Sequence, residues 1–226
     1  MLLAAVRLVA SPVFLWLEYH RPGFPADRFG FTLADRMHYG SAGLDYVTNL
    51  AGPRYLSSLT HQGAPLFTEV EVDHMTDVKT VLWIAAAALV VLLVVCALLI
   101  ASLLRTSPGG VRRALFAGAV WLPLAVIALA VLAVLGWETF FAGFHSLFFA
   151  DGTWTFSVQD ALIRLYPSQF WIDAAAAVGL ISLLTALLTL VFTWPTRRRR
   201  ERTADQRSAF ESTRLRWARE EDAQLR

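Results

Sequence analysis

The sequence predicts an all-α integral membrane protein, with four transmembrane helices and a small helical and aromatic extracytoplasmic subdomain. Three observations predict it. Of 226 residues, 56% are hydrophobic and only 17% charged, which is too apolar for an ordinary soluble domain. Residues 81–104 and 114–137 are apolar runs longer than the roughly 20 residues that cross a ~30 Å hydrocarbon core, and 174–194 just meets that length. Arginines gather at Arg105, Arg112 and Arg113 and again at Arg197, Arg198, Arg199 and Arg200, the bias that marks cytoplasmic loops.

Taken in order, residues 1–17 are apolar but contain Arg7 and Pro12. No small-x-small cleavage pattern follows, so they read as a first transmembrane helix of a chain that starts a little short, and not as a signal peptide. Residues 18–79 form a net acidic extracytoplasmic segment. Within it 29–39 reads as a short helix, with Thr32 as N-cap and Asp35 completing an acidic capping box. Gly40 and Gly43 are expected to interrupt, and 44–59 to form another short helix broken near Pro53. Residues 66–74 alternate as a strand would, but nothing nearby offers a strand partner, so from about Thr68 the chain is expected to be helical, as the outer extension of the second transmembrane helix (80–104).

A cytoplasmic turn (105–113) leads to the third helix (114–137). Residues 138–170 form an aromatic extracytoplasmic segment that turns at Gly152 and carries a short interfacial helix ending before Pro167. The fourth helix is 171–195, and 196–226 is a basic cytoplasmic tail of alternating charge. Both termini face the cytoplasm in this reading, and the two long segments face outward.

The net charge of +2 conceals this asymmetry. Lys79 is the single lysine among 20 cations, a usage that reflects a GC-rich genome more than a nucleic-acid surface. The run 197–200 reads as a stop-transfer signal in preference to an anionic-lipid site. Cys96 lies alone in mid-span, without a partner for a disulfide, a metal or redox chemistry.

Two histidines frame the central hairpin. His74 lies about 31 residues before Arg105 and His145 about 32 after Arg113, so helical arms bring them to nearly one height. Ionisable groups paired at a membrane boundary mark a functional site. Glu71 and Asp77 share a helical face with His74, with Asp73 beside it, and are expected to favour its imidazolium and fix its tautomer. Glu138 lies two turns below His145 on a stripe with Phe141, Phe148 and Phe149, and that apolar ring is expected to lower the His145 pKa and keep it a neutral base. His20, His38 and His61 read as ordinary interfacial residues.

Three chemistries fit such a pair. One is acid–base catalysis on an acyl or phosphoryl group in the outer leaflet. Another is a divalent metal held with Glu71, Asp73, Asp77 or Glu138, although His-x-x-Asp is a weak metal spacing. The third, nucleophilic catalysis, lacks a serine or cysteine beside a base; Ser146 adjoins His145 but points elsewhere on a helix. Acid–base work on a lipid fits best.

At these residues the sequence resembles a known family. Residues 67–79 (FTEVEVDHMTDVK), 144–154 (FHSLFFADGTW) and 165–171 (LYPSQFW), with 29–36 (FGFTLADR) and 44–46 (LDY), look like signature blocks of a bacterial four-helix membrane protein family. That family includes the lipoprotein intramolecular transacylase Lit. The resemblance implies transfer of an acyl chain from the diacylglyceryl group of a lipoprotein's N-terminal cysteine to that cysteine's α-amine. It also implies that the membrane is a bacterial cytoplasmic membrane.

The family's two histidines fall on His74 and His145, which become the catalytic pair. His74 is then base and acid, its ring held by Glu71 or Asp77, and His145 polarises the ester carbonyl or shares the proton. Phe144, Phe148, Phe149 and Trp154 form a wall that holds acyl chains and excludes water. No cofactor or metal is implied. The partners are a diacylated lipoprotein or membrane lipid and the bilayer. A related lipid hydrolase, or a non-catalytic accessory protein binding lipid or lipoprotein, are the alternatives; the nearly apolar spans count against a transporter.

Overall fold

The computed structural model describes residues 2–224. The chain is mostly helical, in the order α1 (Leu2–Val9), α2 (Pro12–His20), α3 (Leu33–Thr48), α4 (Arg54–Ser57), β1 (Thr60–His61), β2 (Ala64–Pro65), α5 (Glu69–Thr106), α6 (Gly110–Leu135), α7 (Trp137–Phe148), α8 (Ala161–Leu165), α9 (Ser168–Thr193) and α10 (Arg197–Gln224). Two compact units form, one of Met1–Leu89 with Ala125–Ser182 and one of Val90–Leu124 with Leu183–Arg226.

Three helices, α5, α6 and α9, are long and apolar enough to cross a membrane. In α5 the first three turns carry five charged side chains, Glu69, Glu71, Asp73, Asp77 and Lys79, so the apolar span begins at Val81 and His74 lies outside it. The large apolar side chains of these runs are uncovered by protein, as at Leu98 (66% exposed), which is the surface lipid tails would solvate.

The N-terminal stretch departs from the expected single helix. Pro12 has no N–H to continue α1 and stands at the first position of α2, where Ser11 is the N-cap and accepts from the Phe14 N–H. The result is one helix of 8 residues and one of 9, each too short to cross alone. α2 is also partly a core element, with Leu15 and Tyr19 buried.

Nor do Gly40 and Gly43 interrupt a helix. α3 runs through both, opened by the expected capping box of Thr32 and Asp35. The glycines permit close approach: a Cβ at Gly40 would stand 2.9 Å from Leu15 Cδ2, and one at Gly43 would collide with the Tyr166 hydroxyl. That hydroxyl donates to the Gly40 carbonyl at 2.6 Å, and Tyr19 donates to the Leu165 carbonyl at 2.6 Å. Thus α2, α3 and α8 are joined at short range through buried phenols.

The core of this unit gathers Leu15, Tyr46, Leu56, Met75, Leu165 and Phe170 with their neighbours. A positive-φ pair, Gln62 and Gly63, turns the two-residue hairpin β1–β2. Asp27 accepts from Arg164 (2.9 and 3.1 Å) and from the Phe29 and Phe31 N–H groups. Burial opposes its charge, but these donors outweigh burial and hold the carboxyl at about 2. Lys79 spans to the Ala51 carbonyl (2.6 Å) and lies 4.2 Å over the Tyr46 ring.

The third long helix, expected over 114–137, ends two residues before that limit. Gly136 breaks out of helical geometry (φ −174, ψ 84), so α6 ends at Leu135 and α7 begins anew at Trp137. His145 therefore rides on a separate 12-residue helix whose direction Gly136 resets. The tail folds as one helix, α10, of 28 residues.

Candidate active site

α5 starts where it does because Thr68 and Glu71 cap each other. The Glu71 N–H donates to Thr68 Oγ1 (3.3 Å), and the Thr68 N–H and hydroxyl donate to Glu71 Oε2 (2.8 and 3.0 Å). Glu71 is only 1% exposed, and its other oxygen accepts from the Leu162 N–H at 2.8 Å. One carboxylate thus fastens the first turn of α5 to the first turn of α8. His74 follows three residues on.

His145 lies in the last turn of α7, with its Nδ1 2.9 Å from the Phe141 carbonyl. A carbonyl oxygen only accepts, so Nδ1 carries the proton and Nε2 keeps a free lone pair. The two imidazoles face each other with centroids 6.3 Å apart and planes inclined by 24°.

Aromatic rings enclose them. Phe149 stands 5.0 Å from His74 and 5.7 Å from His145, Phe156 5.3 Å from His74, Trp154 5.0 Å and Phe141 4.0 Å from His145. Phe144 touches His145 at 5.7 Å, while Phe148 packs on Phe144 and Phe149 and reaches neither histidine.

This enclosure sets the protonation. Burial lowers His74 to about 4, the facing His145 adds to the effect, and Asp77 opposes it weakly. Burial also lowers His145, against the pull of the Phe141 carbonyl. Both shifts favour neutral rings at pH 7, and the imidazolium expected at His74 is overturned because burial outweighs the pull of Asp77. Two polar atoms in the enclosure, His74 Nδ1 and Trp154 Nε1, are buried with no hydrogen-bond partner. Each such orphan costs about 1–3 kcal/mol, which fits groups kept open for a ligand.

The carboxylates expected around the pair take other places. Glu71 does not hold the His74 ring, because both its oxygens are occupied by Thr68 and Leu162. Asp77 makes no hydrogen bond to the ring either, since His74 Nδ1 has no partner and Asp77 is exposed. Asp73 is exposed, as is Glu138 in the first turn of α7, where its charge suits the helix N-terminus. Among the described residues no cluster of three or more His, Cys, Asp and Glu side chains has metal-holding geometry. The other histidines serve packing: His20 stacks on Trp16 at 4.5 Å, and His61 meets the Tyr39 hydroxyl at 3.3 Å.

Phe141 and Phe156 belong to the enclosure beyond the four aromatics expected. Phe141 was visible as the residue four before His145 on one helix. Phe156 sits in irregular chain, where no periodicity signals direction.

The family model described as lipoprotein intramolecular transacylase Lit matches residues 1–171, which include every residue of this cluster. The chain belongs to the Lit family. It is 31% identical over 189 residues to an uncharacterized protein of Aquifex aeolicus (strain VF5), a match covering 82% of this chain and 84% of that one. The membrane-integral lipoprotein intramolecular transacylase Lit of Bacillus cereus, solved in meso, shares the fold with a TM-score of 0.57 at 17% identity, over 92% of this chain and 96% of that one. Family, fold and apolar helices together make this Lit-family chain a membrane protein. The tail helix α10 lies outside the family match.

Proposed function

We propose that this chain is an acyltransferase of the Lit kind, moving an acyl chain from the diacylglyceryl group of a lipoprotein's N-terminal cysteine to that cysteine's own α-amine. The observation that carries the proposal is the pair of facing, neutral imidazoles in an aromatic enclosure that also holds two unpartnered polar atoms.

The geometry supports the following step. The amine nitrogen attacks the ester carbonyl carbon, forming the new C–N bond. His145 Nε2 accepts the amine proton and then returns it to the glyceryl oxygen as the C–O bond breaks. The base is His145 in this reading, in place of the His74 that the sequence suggested, because the Phe141 carbonyl orients the His145 ring. His74 and the Trp154 Nε1–H donate to the carbonyl oxygen as it gains charge. A neutral imidazole is suited to that task, and burial keeps it neutral. Phe144, Phe148, Phe149 and Phe156 keep water from competing with the amine.

The arginine distribution supports placing the site at the outer leaflet, with both termini cytoplasmic. In this topology the broken pair α1–α2 supplies the first of four crossings, residues 18–79 and 138–170 face outward, and α10 lies inside.

The pH dependence has a defined sign. An α-amine with a pKa of about 7.7 loses its nucleophilic form tenfold per unit below that value. A base with a lowered pKa stays competent until the pH falls through that lowered value. We therefore expect log kcat/KM to fall with unit slope below about pH 7.7 and to steepen only below the ordinary imidazole value of 6.5. A second break at 6.5 or above, in a rate profile on a short lipopeptide, removes the argument from burial.

The deciding experiment is tandem mass spectrometry of a diacylated lipoprotein incubated in detergent with the purified protein. Transfer leaves the total mass unchanged and moves one acyl chain onto the N-terminal amine fragment. Loss of one acyl mass identifies a hydrolase, and an unaltered substrate returns the accessory reading.

A further inference from the structure

The unit formed by Val90–Leu124 and Leu183–Arg226 contains a feature that the transacylase reading does not use. Two cavities adjoin between the 107–109 turn that joins α5 to α6 and the 194–196 link that joins α9 to α10. One, of about 380 Å³, is lined chiefly by apolar side chains, among them Leu103, Leu104, Val111 and Leu115. The other, of about 440 Å³, is lined by Arg112, Arg113, Arg200 and Arg207 over Phe116 and Pro195. Arg112 and Thr193 line both.

The cationic cavity is held by neutral partners. Arg112 donates to the Arg199 carbonyl (3.3 Å) and Thr203 Oγ1 (3.0 Å), Arg113 to the Pro108 carbonyl (3.1 Å) and Ser107 Oγ (2.8 Å), and Arg200 to the Pro195 carbonyl (2.9 Å). Among the described residues none of the four pairs with a carboxylate; the ion pair of this unit, Arg197–Glu201, lies outside the cavity. Convergent guanidinium groups with no counter-charge are a phosphate site in waiting. An apolar cavity sharing a wall with them gives the complement of one acyl chain.

We propose that this pair of cavities binds an anionic glycerophospholipid, its phosphate among Arg112, Arg113, Arg200 and Arg207 and one acyl chain along Leu103, Leu104 and Leu115. A stop-transfer signal requires arginines only by number; here they converge from two helices, α6 and α10, on one apolar-edged space. Basic pockets at helix ends are where acidic headgroups are held.

The test uses the full chain in neutral detergent, with binding of phosphatidylglycerol and phosphatidylcholine followed by native mass spectrometry. Phosphatidylglycerol is expected to bind about tenfold more tightly, and the paired change Arg200→Gln with Arg207→Gln to abolish that preference. Arg214→Gln with Arg216→Gln removes equal charge from α10 outside the cavity and should leave the preference intact. Leu115→Trp, which fills the apolar cavity without touching charge, should weaken binding severalfold. Unchanged elution and helicity of the variants exclude misfolding as the cause. The proposal is overturned by equal loss in both arginine pairs, by no headgroup preference, or by displacement of the lipid by 10 mM inorganic phosphate. None of these results bears on the transacylase reading, whose residues lie in the other unit.

Discussion

Replacing His145 with glutamine is expected to lower kcat by about 10²–10⁴, the usual contribution of a positioned general base. Glutamine keeps much of the volume and polarity but has no lone pair basic enough to take the amine proton. The same change at His74 is expected to cost about 10²–10³, the scale of one lost oxyanion donor. The double variant should be little worse than His145→Gln alone, because the groups act on one transition state.

The two single variants differ in a way that packing cannot imitate. His145→Gln should erase the steepening of the pH profile at acid pH, while His74→Gln should keep it. Kinetics on a lipopeptide, with thermal unfolding to verify the fold, provide the check. Activity within a few-fold of wild type in either variant, at unchanged stability, defeats the catalytic assignment of that residue.

Glu71 carries the second large effect, on stability. Its carboxylate is buried and accepts from the Thr68 N–H, the Thr68 hydroxyl and the Leu162 N–H. Glu71→Leu strips all three donors of their acceptor inside the core. Hydrogen bonds to a charged group contribute roughly 1.5–3 kcal/mol each and are not additive, so a loss of about 3–4 kcal/mol is expected. Glu71→Gln retains one acceptor oxygen but turns an NH₂ toward donors, and should cost about half as much.

The damage should be local as well as global. Leu162 opens α8, the element that follows the irregular chain bearing Trp154 and Phe156. Hydrogen exchange at the Leu162 amide should therefore accelerate in Glu71→Leu before α9 is affected. A shift in Tm of less than a degree or two, with Leu162 still protected, would show that the bridge carries no stability.

Much of this molecule follows from the chain alone. The apolar runs of α5, α6 and α9 had to be helices, because a backbone in hydrocarbon satisfies its polar groups only internally. The Thr32–Asp35 box was legible because capping is a matter of four consecutive residues. The start of α5 near Thr68 was expected for another reason, the lack of a nearby strand partner, and the Thr68–Glu71 cap emerged only in the structure. His74 and His145 could be singled out from their spacing about one turn, and the structure sets their rings 6.3 Å apart.

What the sequence misjudged were glycines, a proline and a carboxylate, residues whose effect depends on what stands opposite. Gly40 and Gly43 look like breaks until Leu15, Tyr19 and Tyr166 are seen against them, and then they are points of contact. Pro12 divides a run that hydrophobicity alone joins. Helical periodicity put Glu71 on the His74 face, but a backbone N–H 91 residues away claimed its free oxygen. Periodicity reports direction, and it cannot report which distant donor arrives there.

The sequence by itself determined the three long apolar helices, the Thr32–Asp35 cap of α3 and the matched spacing of the two histidines, since these rest on composition and on local spacing. Only the tertiary structure decided the tautomer of His145, the orphaned nitrogens of His74 and Trp154, and the neutrality of His74. Those depend on burial and on partners brought from elsewhere in the chain, and no local pattern encodes them.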